Sequence, residues 1–268
     1  KTEFNKFSDR TAQESFEVHP GAFLGYMKVN VILYLICIVA IWMQYYQVAM
    51  ITAALSMIIT LAEFMFYKEF LDPFYKKREG RNVYGVIEPE GEVRQQIIVS
   101  AHHDSAHIFN FLERNAKWYP VRIISAVLMQ ILVFVISLGL GLSSLLNWDV
   151  QTFSFVGLII LLIGLPAIIQ LLFFAQDKGT PGAGDNMICT AVAMEIGKQI
   201  AKDKTSNYSL KNTRVIIASW DSEECGLRGA RAYVASHRKE LLKTKTYNFN
   251  LESLFDYNSL TLLTSDLN

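Results

Sequence analysis

Four long apolar stretches dominate the pattern of hydrophobic and polar positions along the chain. The first two lie within the 34 uncharged residues 29–62 and are divided by the polar-aromatic patch at 44–47. The other two cover residues 123–148 and 150–176, on either side of Asp149. A helix needs about 20 apolar residues to cross a bilayer, so the pattern predicts four transmembrane helices arranged as two hairpins.

Neither a soluble core nor a signal peptide accounts for these stretches as well as membrane spans do. Helices buried in a soluble core normally keep a polar stripe, which these stretches lack. A signal peptide has a shorter apolar region and a small-residue cleavage site, whereas the first stretch here follows a long polar segment. We therefore expect a polar N-terminal leader at 1–27, a first transmembrane hairpin at 28–68 and a second at 122–176.

Positively charged residues indicate how the spans are oriented. Lysine and arginine occur in the leader and in the connector between the hairpins, for example at Arg10, Lys68 and Arg122, and both hairpin turns lack them. Because such residues collect on the cytoplasmic side, we expect the leader, the connector and the C-terminal part to be cytoplasmic. An even number of spans places segments 69–121 and 177–268 on the same face, where they can fold together.

Two β-branched runs in the connector predict strands. They cover residues 82–88 (NVYGVIE) and 95–101 (QQIIVSA) and are separated by the short polar segment 89–92 (PEGE). Proline and glycine in such a segment favour a turn, so we predict that the two strands form a β-hairpin.

The segment after the fourth span alternates helical and strand patterns. The predicted elements are a helix over 186–202 with Ile188, Val192, Ile196 and Ile200 on one face, a strand over 213–219, a helix over 227–242 and a short strand over 260–264. Together with the connector strands, they predict an α/β domain with a mixed, largely parallel sheet flanked by helices. In such domains functional groups gather where strands end.

Composition and charge exclude several classes of protein. The chain is 51% hydrophobic, which excludes a disordered protein, and its 25 basic and 25 acidic residues give no net charge to attract nucleic acid. Its three cysteines, at 37, 189 and 225, form no CxxC pair. A disulfide framework and a thiolate zinc cluster are therefore disfavoured, and a reducing compartment fits best.

Imidazole and carboxylate groups occupy the predicted strand ends and the loops beside them. His102 and Asp104 follow a strand and should point the same way, because side chains alternate along an extended chain. Asp185 precedes a predicted helix, and Glu223 and Glu224 follow the strand over 213–219. Without thiolates, this set suits a catalytic zinc or a similar divalent ion. Taken singly, the groups could instead be a solvated loop, a helix N-cap and surface charge.

Three sequence segments together resemble a known enzyme family. The segments VSAHHDS, GAGDN and IIASWDSEECGLRGARAYV resemble, in the same order, the strand–HxD, DN–helix and EE-G segments of the M28 family of zinc aminopeptidases. The resemblance covers about half of the chain. It implies an α/β zinc-peptidase domain that is interrupted by the second transmembrane hairpin and that binds two zinc ions.

The resemblance also implies a role for each residue that matches the family's motifs. His102 would bind one metal, Asp185 would bridge both, and Glu224 would bind the other. Glu223 would be the general base that takes a proton from the metal-activated water, and Asp104 would orient His102.

Three features depart from the family's pattern. Residues 187–190 (MICT) replace the usual small residues after the Asp-Asn pair, which we attribute to packing. The segment that is usually N-L-D reads N-L-E, which makes Glu252 a metal ligand by resemblance and Asp256 a less favoured substitute. A late histidine ligand is implied, but the sequence ends at Asn268 without one, so we expect either a C-terminally incomplete domain or an incomplete second metal site.

The expected function is that of a membrane-bound, zinc-dependent exopeptidase of the aminopeptidase type. The expected partners are a peptide substrate, which the membrane insertion suggests is membrane-associated, and the lipid bilayer, but not nucleic acid. Two alternatives stay open: a non-catalytic membrane scaffold or receptor that retains the fold, and a single-zinc acyltransferase of the glutaminyl-cyclase type.

Several other polar residues are given structural roles. We expect His103 to point away from His102, His107 to be a surface group, and His19 and His237 to be solvated. Cys225 is interpreted as a packing residue because no nearby histidine would activate it. Glu63 lies near the end of the second span, which favours a position among the lipid headgroups.

Overall fold

A computed structural model gives the fold of the chain and describes residues 1–204, 210–254, 256, 258, 261 and 263. The chain divides into two compact units. The first comprises Lys1–Val18, Lys77–Ala106 and Gly179–Asn268, and the second comprises His19–Lys76 and His107–Lys178. Each unit is therefore assembled from segments that are distant in the sequence.

Most of the described strands belong to the first unit and most of the described helices to the second. The strands in the described residues are β1 (Arg10–Val18), β2 (Arg78–Ile87), β3 (Gln95–His102), β4 (His107–Phe109), β5 (Ala175–Gly179), β6 (Thr213–Trp220) and β7 (Lys245–Asn250). The helices in the same residues are α1 (Pro20–Trp42), α2 (Tyr46–Thr60), α3 (Asn110–Asn115), α4 (Tyr119–Leu145), α5 (Gln151–Ile169), α6 (Ile188–Lys204) and α7 (Arg228–Leu241). The strand predicted over 260–264 lies outside the described residues, apart from residues 261 and 263.

A five-stranded sheet with the order β1-β2-β6-β3-β7 belongs to the first unit. The pairs β1–β2 and β2–β6 are antiparallel, whereas β6–β3 and β3–β7 are parallel. The sheet is mixed, as the sequence predicts. Parallel pairing, however, accounts for only two of the four pairs described, so "largely parallel" overstates it.

The hairpin predicted from residues 82–88 and 95–101 is wrong. Both strands form, but β6 lies between them, and its Ile216 pairs with Val86 on one side and with Ile98 on the other. The last six residues of β6 are all buried. Because β6 is the most apolar strand, a central position removes more hydrophobic surface from water than an edge position would.

Helices α6 and α7 both pack on this sheet. Ala193 of α6 belongs to a buried cluster with Val99 and Ile217. Tyr233 of α7 belongs to another, with Ile98 and Trp220. The neighbouring residues of β3 thus contribute to different clusters, as the alternation of side chains along a strand requires.

Helix α6 buries its small residues most deeply, and Ile196 and Ile200 of the predicted apolar face are partly buried against the same cluster as Ala193. Its buried residues are Cys189, Thr190, Ala193 and Gly197. The isoleucine face is only partly buried, and Ile188 is exposed. A Cβ atom at Gly197 would lie 2.8 Å from Cγ1 of Ile217, so the small residues allow the helix to approach the sheet closely.

The polar leader contains a strand that the sequence pattern does not predict. β1 pairs with β2 along its whole length, from Arg10 opposite Val86 to Val18 opposite Arg78. Most of its residues are at least partly exposed, as is typical of an edge strand. Helix α1 then begins at Pro20, within the same leader.

The second unit contains four helices that are long and apolar enough to cross a membrane. They are Pro20–Trp42, Tyr46–Met65, Asn110–Leu145 and Gln151–Phe173. Residues 43–45 separate the first two and residues 146–150 the last two, at the turns that the sequence predicts. The apolar pattern therefore does correspond to four helices in two hairpins.

Polar side chains join three of these helices in the interior of the second unit. Asn30 of α1 donates to Oγ1 of Thr60 at 2.7 Å, and Ser56 of α2 donates to Oδ1 of Asn30 at 2.8 Å. Gln130 of α4 donates to Oγ of Ser56 at 2.5 Å. We call these four residues the interhelical polar node.

Glu63 is buried within the second unit. It lies in a π-helical turn, Leu61–Met65, that continues α2. Its Oε1 atom accepts the main-chain N–H of Leu71 at 2.6 Å. Glu63 lies near the end of the second apolar helix, and the following segment folds back over it. Its position at the level of the lipid headgroups stays a prediction.

Candidate metal centre

The carboxyl ends of three neighbouring strands place the predicted site residues at one edge of the sheet. His102 is the last residue of β3, Glu223 and Glu224 follow β6, and Glu252 follows β7. These strands are mutually parallel, so their carboxyl ends lie at the same edge. Asp185 comes from the segment just before α6.

The imidazole of His102 is the centre of this arrangement. It is 1% exposed, and its Nε2 atom faces three carboxylates. Nε2 lies 3.2 Å from Oδ1 of Asp185, 3.3 Å from Oε1 of Glu252 and 3.7 Å from Oε2 of Glu223. Four residues that are widely separated in sequence are thus brought together around one nitrogen.

Asp104 joins His102 to the loop that carries the two glutamates. Its Oδ1 atom lies 3.3 Å from Nδ1 of His102, so the two side chains point the same way, as their spacing predicts. Its two oxygens also accept the main-chain N–H groups of Glu223, at 3.0 Å, and Glu224, at 3.1 Å. One carboxylate therefore fixes both the ring and the glutamate loop.

The charges around His102 shift its pKa upward. Burial alone would lower it, but hydrogen bonds to Asp104 and Glu252 and the charge of Glu223 outweigh that effect and raise the pKa of His102 to about 11. Burial likewise opposes ionisation of Asp104, but the bonds from His102 and from the two main-chain N–H groups lower its pKa below the usual value.

The remaining carboxylates repel one another. Burial, followed by the charge of Glu252, raises the pKa of Asp185, and burial followed by neighbouring carboxylates also raises the pKa of Glu223. The pKa of Glu224 rises to about 7, because of burial and the charges of Asp185 and Glu223. A bound cation would relieve this repulsion and favour the ionised forms.

The donor atoms fit a divalent metal ion. Two groups of residues each offer ligand atoms within 4.8 Å of one another. One group is His102, Asp185 and Glu252, and the other is His102, Glu223 and Glu224. Imidazole nitrogen with carboxylate oxygens and no thiolate is a set that zinc accepts at catalytic sites.

The local backbone explains how Asp185 reaches the site. The sequence predicts a helix from residue 186, but Asp185 and Asn186 have non-helical backbone angles and α6 begins at Ile188. Gly182, which has a φ of 68°, turns the chain just before this segment. The Asp185 side chain is therefore presented from an irregular segment instead of capping a helix that starts at the next residue.

Two residues that the sequence analysis does not select support the site. Oγ1 of Thr190 donates to the carbonyl oxygen of His102 at 2.9 Å. Nδ2 of Asn186 donates to the carbonyl oxygen of Leu251 at 2.9 Å. The available signal for Asn186 is its place in the Asp-Asn pair, whereas nothing in the sequence pattern identifies Thr190.

Of the other histidines, His103 lies as the sequence predicts, whereas the remaining three do not. Nδ1 of His103 lies 2.8 Å from Oγ of Ser219, so His103 points away from His102 as predicted. His237 and His19 were predicted to be solvated, but each faces an acidic side chain. Nε2 of His237 lies 2.9 Å from Glu14, and Nδ1 of His19 lies 3.4 Å from Asp72. His107 is partly buried at the start of β4 rather than at the surface.

The two remaining candidates near the site stay outside the donor set. Burial raises the pKa of Cys225 to about 12, so its thiol stays protonated, in keeping with the packing role expected for it. Asp256 is exposed, and its Oδ1 atom accepts the N–H of Asn258. Neither belongs to the two candidate ligand groups found in the described residues.

One family model matches part of the chain. Residues 170–267 match the model of Peptidase family M28, which confirms the resemblance noted in the sequence for that part of the chain. The match includes Asp185, Glu223, Glu224 and Glu252. His102 and Asp104 lie outside it. A search of curated proteins gave no match.

One solved structure that is similar to this chain is an aminopeptidase from Aneurinibacillus sp. strain AM-1. It is 18% identical to this chain with a TM-score of 0.34, and the alignment covers 66% of this chain. It covers 25% of that aminopeptidase, so this chain spans about a quarter of that protein's length.

Proposed function

We propose that this chain, whose residues 170–267 match Peptidase family M28, carries the catalytic core of a membrane-bound, zinc-dependent exopeptidase of the aminopeptidase type. The observation that carries the proposal is the convergence of one buried imidazole and three carboxylates at the carboxyl edge of the sheet. A metal-dependent hydrolase needs such a donor set, which holds the metal beside a carboxylate that can accept a proton.

The ligands would divide into two overlapping sets. His102, Asp185 and Glu252 would hold one zinc ion, and Glu224 would hold a second, with Asp185 shared between the two. Bound zinc would polarise the carbonyl of the scissile peptide bond and make the attacking water more acidic.

Glu223 would be the general base. Its side chain is 28% exposed, so it can contact both the buried imidazole and a bound substrate. Burial and neighbouring carboxylates raise its pKa, which makes it a better proton acceptor. Glu223 would take a proton from the attacking water and transfer it to the amine that leaves.

Asp104 would orient both His102 and the loop that carries Glu223 and Glu224. Its contact with Nδ1 of His102 leaves Nε2 facing the metal position, since the two ring nitrogens have distinct roles. Its bonds to the N–H groups of Glu223 and Glu224 fix the loop that carries the base. One side chain would thus orient a ligand and the general base together.

The four apolar helices support the membrane part of the proposal. They are long enough to cross a bilayer, and many of their large apolar side chains are exposed in the absence of lipid. The distribution of lysine and arginine favours the cytoplasmic face for both soluble segments. A peptide that is itself associated with the membrane is the substrate that this anchoring suits best.

A second candidate function, the single-zinc acyltransferase of the glutaminyl-cyclase type, is favoured by one observation. Within the part of the chain that the structure describes, both candidate ligand groups draw on the same imidazole, His102. An enzyme with one zinc ion would need only one such group. This function predicts one metal per chain and cyclisation of peptides that begin with glutamine.

The test combines metal analysis with turnover. The detergent-purified chain is loaded with zinc, its bound metal is counted by mass spectrometry, and hydrolysis of aminoacyl p-nitroanilides is measured. We expect Asp185→Ala to lose metal, and Glu223→Gln to keep metal but lose turnover, while His103→Gln behaves as wild type. Two ions with hydrolysis support the peptidase. One ion with glutamine cyclisation supports the acyltransferase, and no specific metal would leave a non-catalytic scaffold.

A further inference from the structure

Asn186 holds the main chain on both sides of Glu252. Its Nδ2 atom donates to the carbonyl oxygen of Leu251 at 2.9 Å, and its Oδ1 atom accepts the N–H of Ser253 at 3.2 Å. Asn186 is 0% exposed, so these bonds are shielded from competition with water. The residue between the two contact points is Glu252.

Among the described residues, the main chain around Glu252 has few other contacts, although its side chain contacts Nε2 of His102. Glu252 follows β7, and five of the six residues of that strand are exposed. The Glu252 side chain is itself 44% exposed and lies in a segment without regular secondary structure. The other described main-chain bonds of this segment are those of Leu251 N–H to Ser100 and of Leu254 N–H to Sγ of Cys189. The two bonds to Asn186 flank the carboxylate most closely.

Asn186 also follows Asp185 directly in the chain. The segment that places Asp185 3.2 Å from Nε2 of His102 therefore also sets where Glu252 lies, which is 3.3 Å from the same nitrogen. An amide is suited to this task, because it offers a donor to one peptide group and an acceptor to the other. A carboxylate could not donate to Leu251, and an alanine could do neither.

We propose that Asn186 is a positioning residue that sets the separation of Asp185 and Glu252, and through it the zinc affinity of the ion held by these two carboxylates and His102. The inference rests on the proposed function, because it deepens the account of the same site. Its consequence is that loss of the Asn186 amide weakens metal binding even though Asn186 is not itself a ligand.

The test is a double-mutant cycle read out by zinc-binding calorimetry on the full chain in detergent. Asn186→Ala should weaken zinc binding by about 10- to 100-fold, the usual effect of removing a residue that orients a ligand. Glu252→Ala should weaken it as well. If Asn186 acts through Glu252, the double variant should bind zinc no more weakly than Glu252→Ala alone.

A matched control separates this effect from the general loss of an asparagine. Asn212 also donates its side-chain amide to a main-chain carbonyl, that of Glu92, but it lies beside the amino end of β6, away from the site. Asn212→Ala should leave zinc affinity unchanged. If Asn186→Ala does not fold, Asn186→Ser, which keeps a small polar group but cannot span both peptide groups, takes its place.

The outcomes distinguish failure of this inference from failure of the proposed function. Wild-type protein that binds no zinc would contradict both. Zinc binding by the wild type that is lost in Asp185→Ala but unchanged in Asn186→Ala would overturn the positioning role alone. So would fully additive losses in the double variant, or the failure of both Asn186 variants to fold, because Asn186 would then be a general requirement of the fold.

Discussion

Nε2 of His102 lies 3.3 Å from Oε1 of Glu252, although the two residues are 150 positions apart in the sequence. The contact exists because β3 and β7 are parallel neighbours and each residue lies at or just beyond its strand's carboxyl end. Glu252 stands where the resemblance to the M28 family implies an aspartate.

The contact predicts that Glu252 contributes to metal binding. Glu252→Gln keeps the size of the side chain but removes its charge, so zinc affinity should fall by about tenfold or more. Equilibrium competition with a fluorescent zinc chelator measures the change. Glu113→Gln, in the helical unit, serves as the charge-matched control, and equal affinities for wild type and Glu252→Gln would remove Glu252 from the ligand set.

Asp104 should matter for activity although it belongs to neither candidate ligand group among the described residues. Asp104→Asn replaces an acceptor of two main-chain N–H bonds by an amide, which disturbs both His102 and the glutamate loop. We expect kcat/KM to fall by about 10- to 100-fold. His103→Gln is the control, because His103 bonds to Ser219 and faces away. Wild-type kinetics in Asp104→Asn would exclude the orienting role.

The raised pKa of Glu224 predicts how the metal-free protein responds to pH. The folded chain keeps a proton on Glu224 up to a pKa of about 7, whereas the unfolded chain releases it near 4.5. The folded state thus binds more protons in this window, so rising pH lowers stability. In a chelator, Glu224→Gln should match wild type near pH 4.5 and melt at a higher temperature above pH 7.

Thermal unfolding at several pH values, followed by circular dichroism, checks this prediction. With zinc added at pH 8 the order should reverse, because the wild-type carboxylate then has a cation to bind and the amide does not. A difference in melting temperature that does not vary with pH would contradict the assignment of the raised pKa to Glu224.

The interhelical polar node should stabilise the helical unit. Ser56 is the central residue of the node, since it bonds to both Asn30 and Gln130. Ser56→Ala should destabilise the protein in detergent by about 0.6–2 kcal/mol, the range measured for interhelical hydrogen bonds in membranes. Ser125→Ala removes only a hydroxyl bond to Arg122 in its own helix and should have a smaller effect. If denaturation experiments show the same loss of stability for Ser56→Ala and Ser125→Ala, the node contributes no extra stability.

The orientation of the spans predicts which cysteines a membrane-impermeant reagent reaches. The turn of the second hairpin carries Asn147, which is exposed. Asn147→Cys should be labelled from outside intact cells, whereas Lys202→Cys in α6 should react only after permeabilisation. The three natural cysteines are free and at least partly buried, which limits background. The reverse labelling pattern would invert the topology.

Local pattern was sufficient to identify most elements of this protein. The four apolar stretches became four helices and the β-branched runs became β2, β3 and β6, because span length and side-chain alternation depend on neighbours in the chain. The alternation also placed His102 and Asp104 on the same side. The pattern failed for β1, whose polar residues only make sense at a sheet edge.

The order of the strands in the sheet could not be predicted from local pattern. A short turn-like segment favoured a hairpin of β2 and β3, but the burial of β6 between them removes more apolar surface from water. Likewise, the isoleucine row of α6 is only partly buried, and small residues form the closest contact with the sheet, because close approach depends on the partner surface.

Residue type and spacing within a few turns were enough to predict most of the elements, the apolar helices and the identity of the chemical groups. Three relationships became visible only in the folded chain: His102 faces Asp185, Glu223 and Glu252, Asn186 bonds to the main chain on both sides of Glu252, and Glu63 is buried. These relationships join residues brought together by strand pairing and helix packing, whose energies come from surface buried between distant segments.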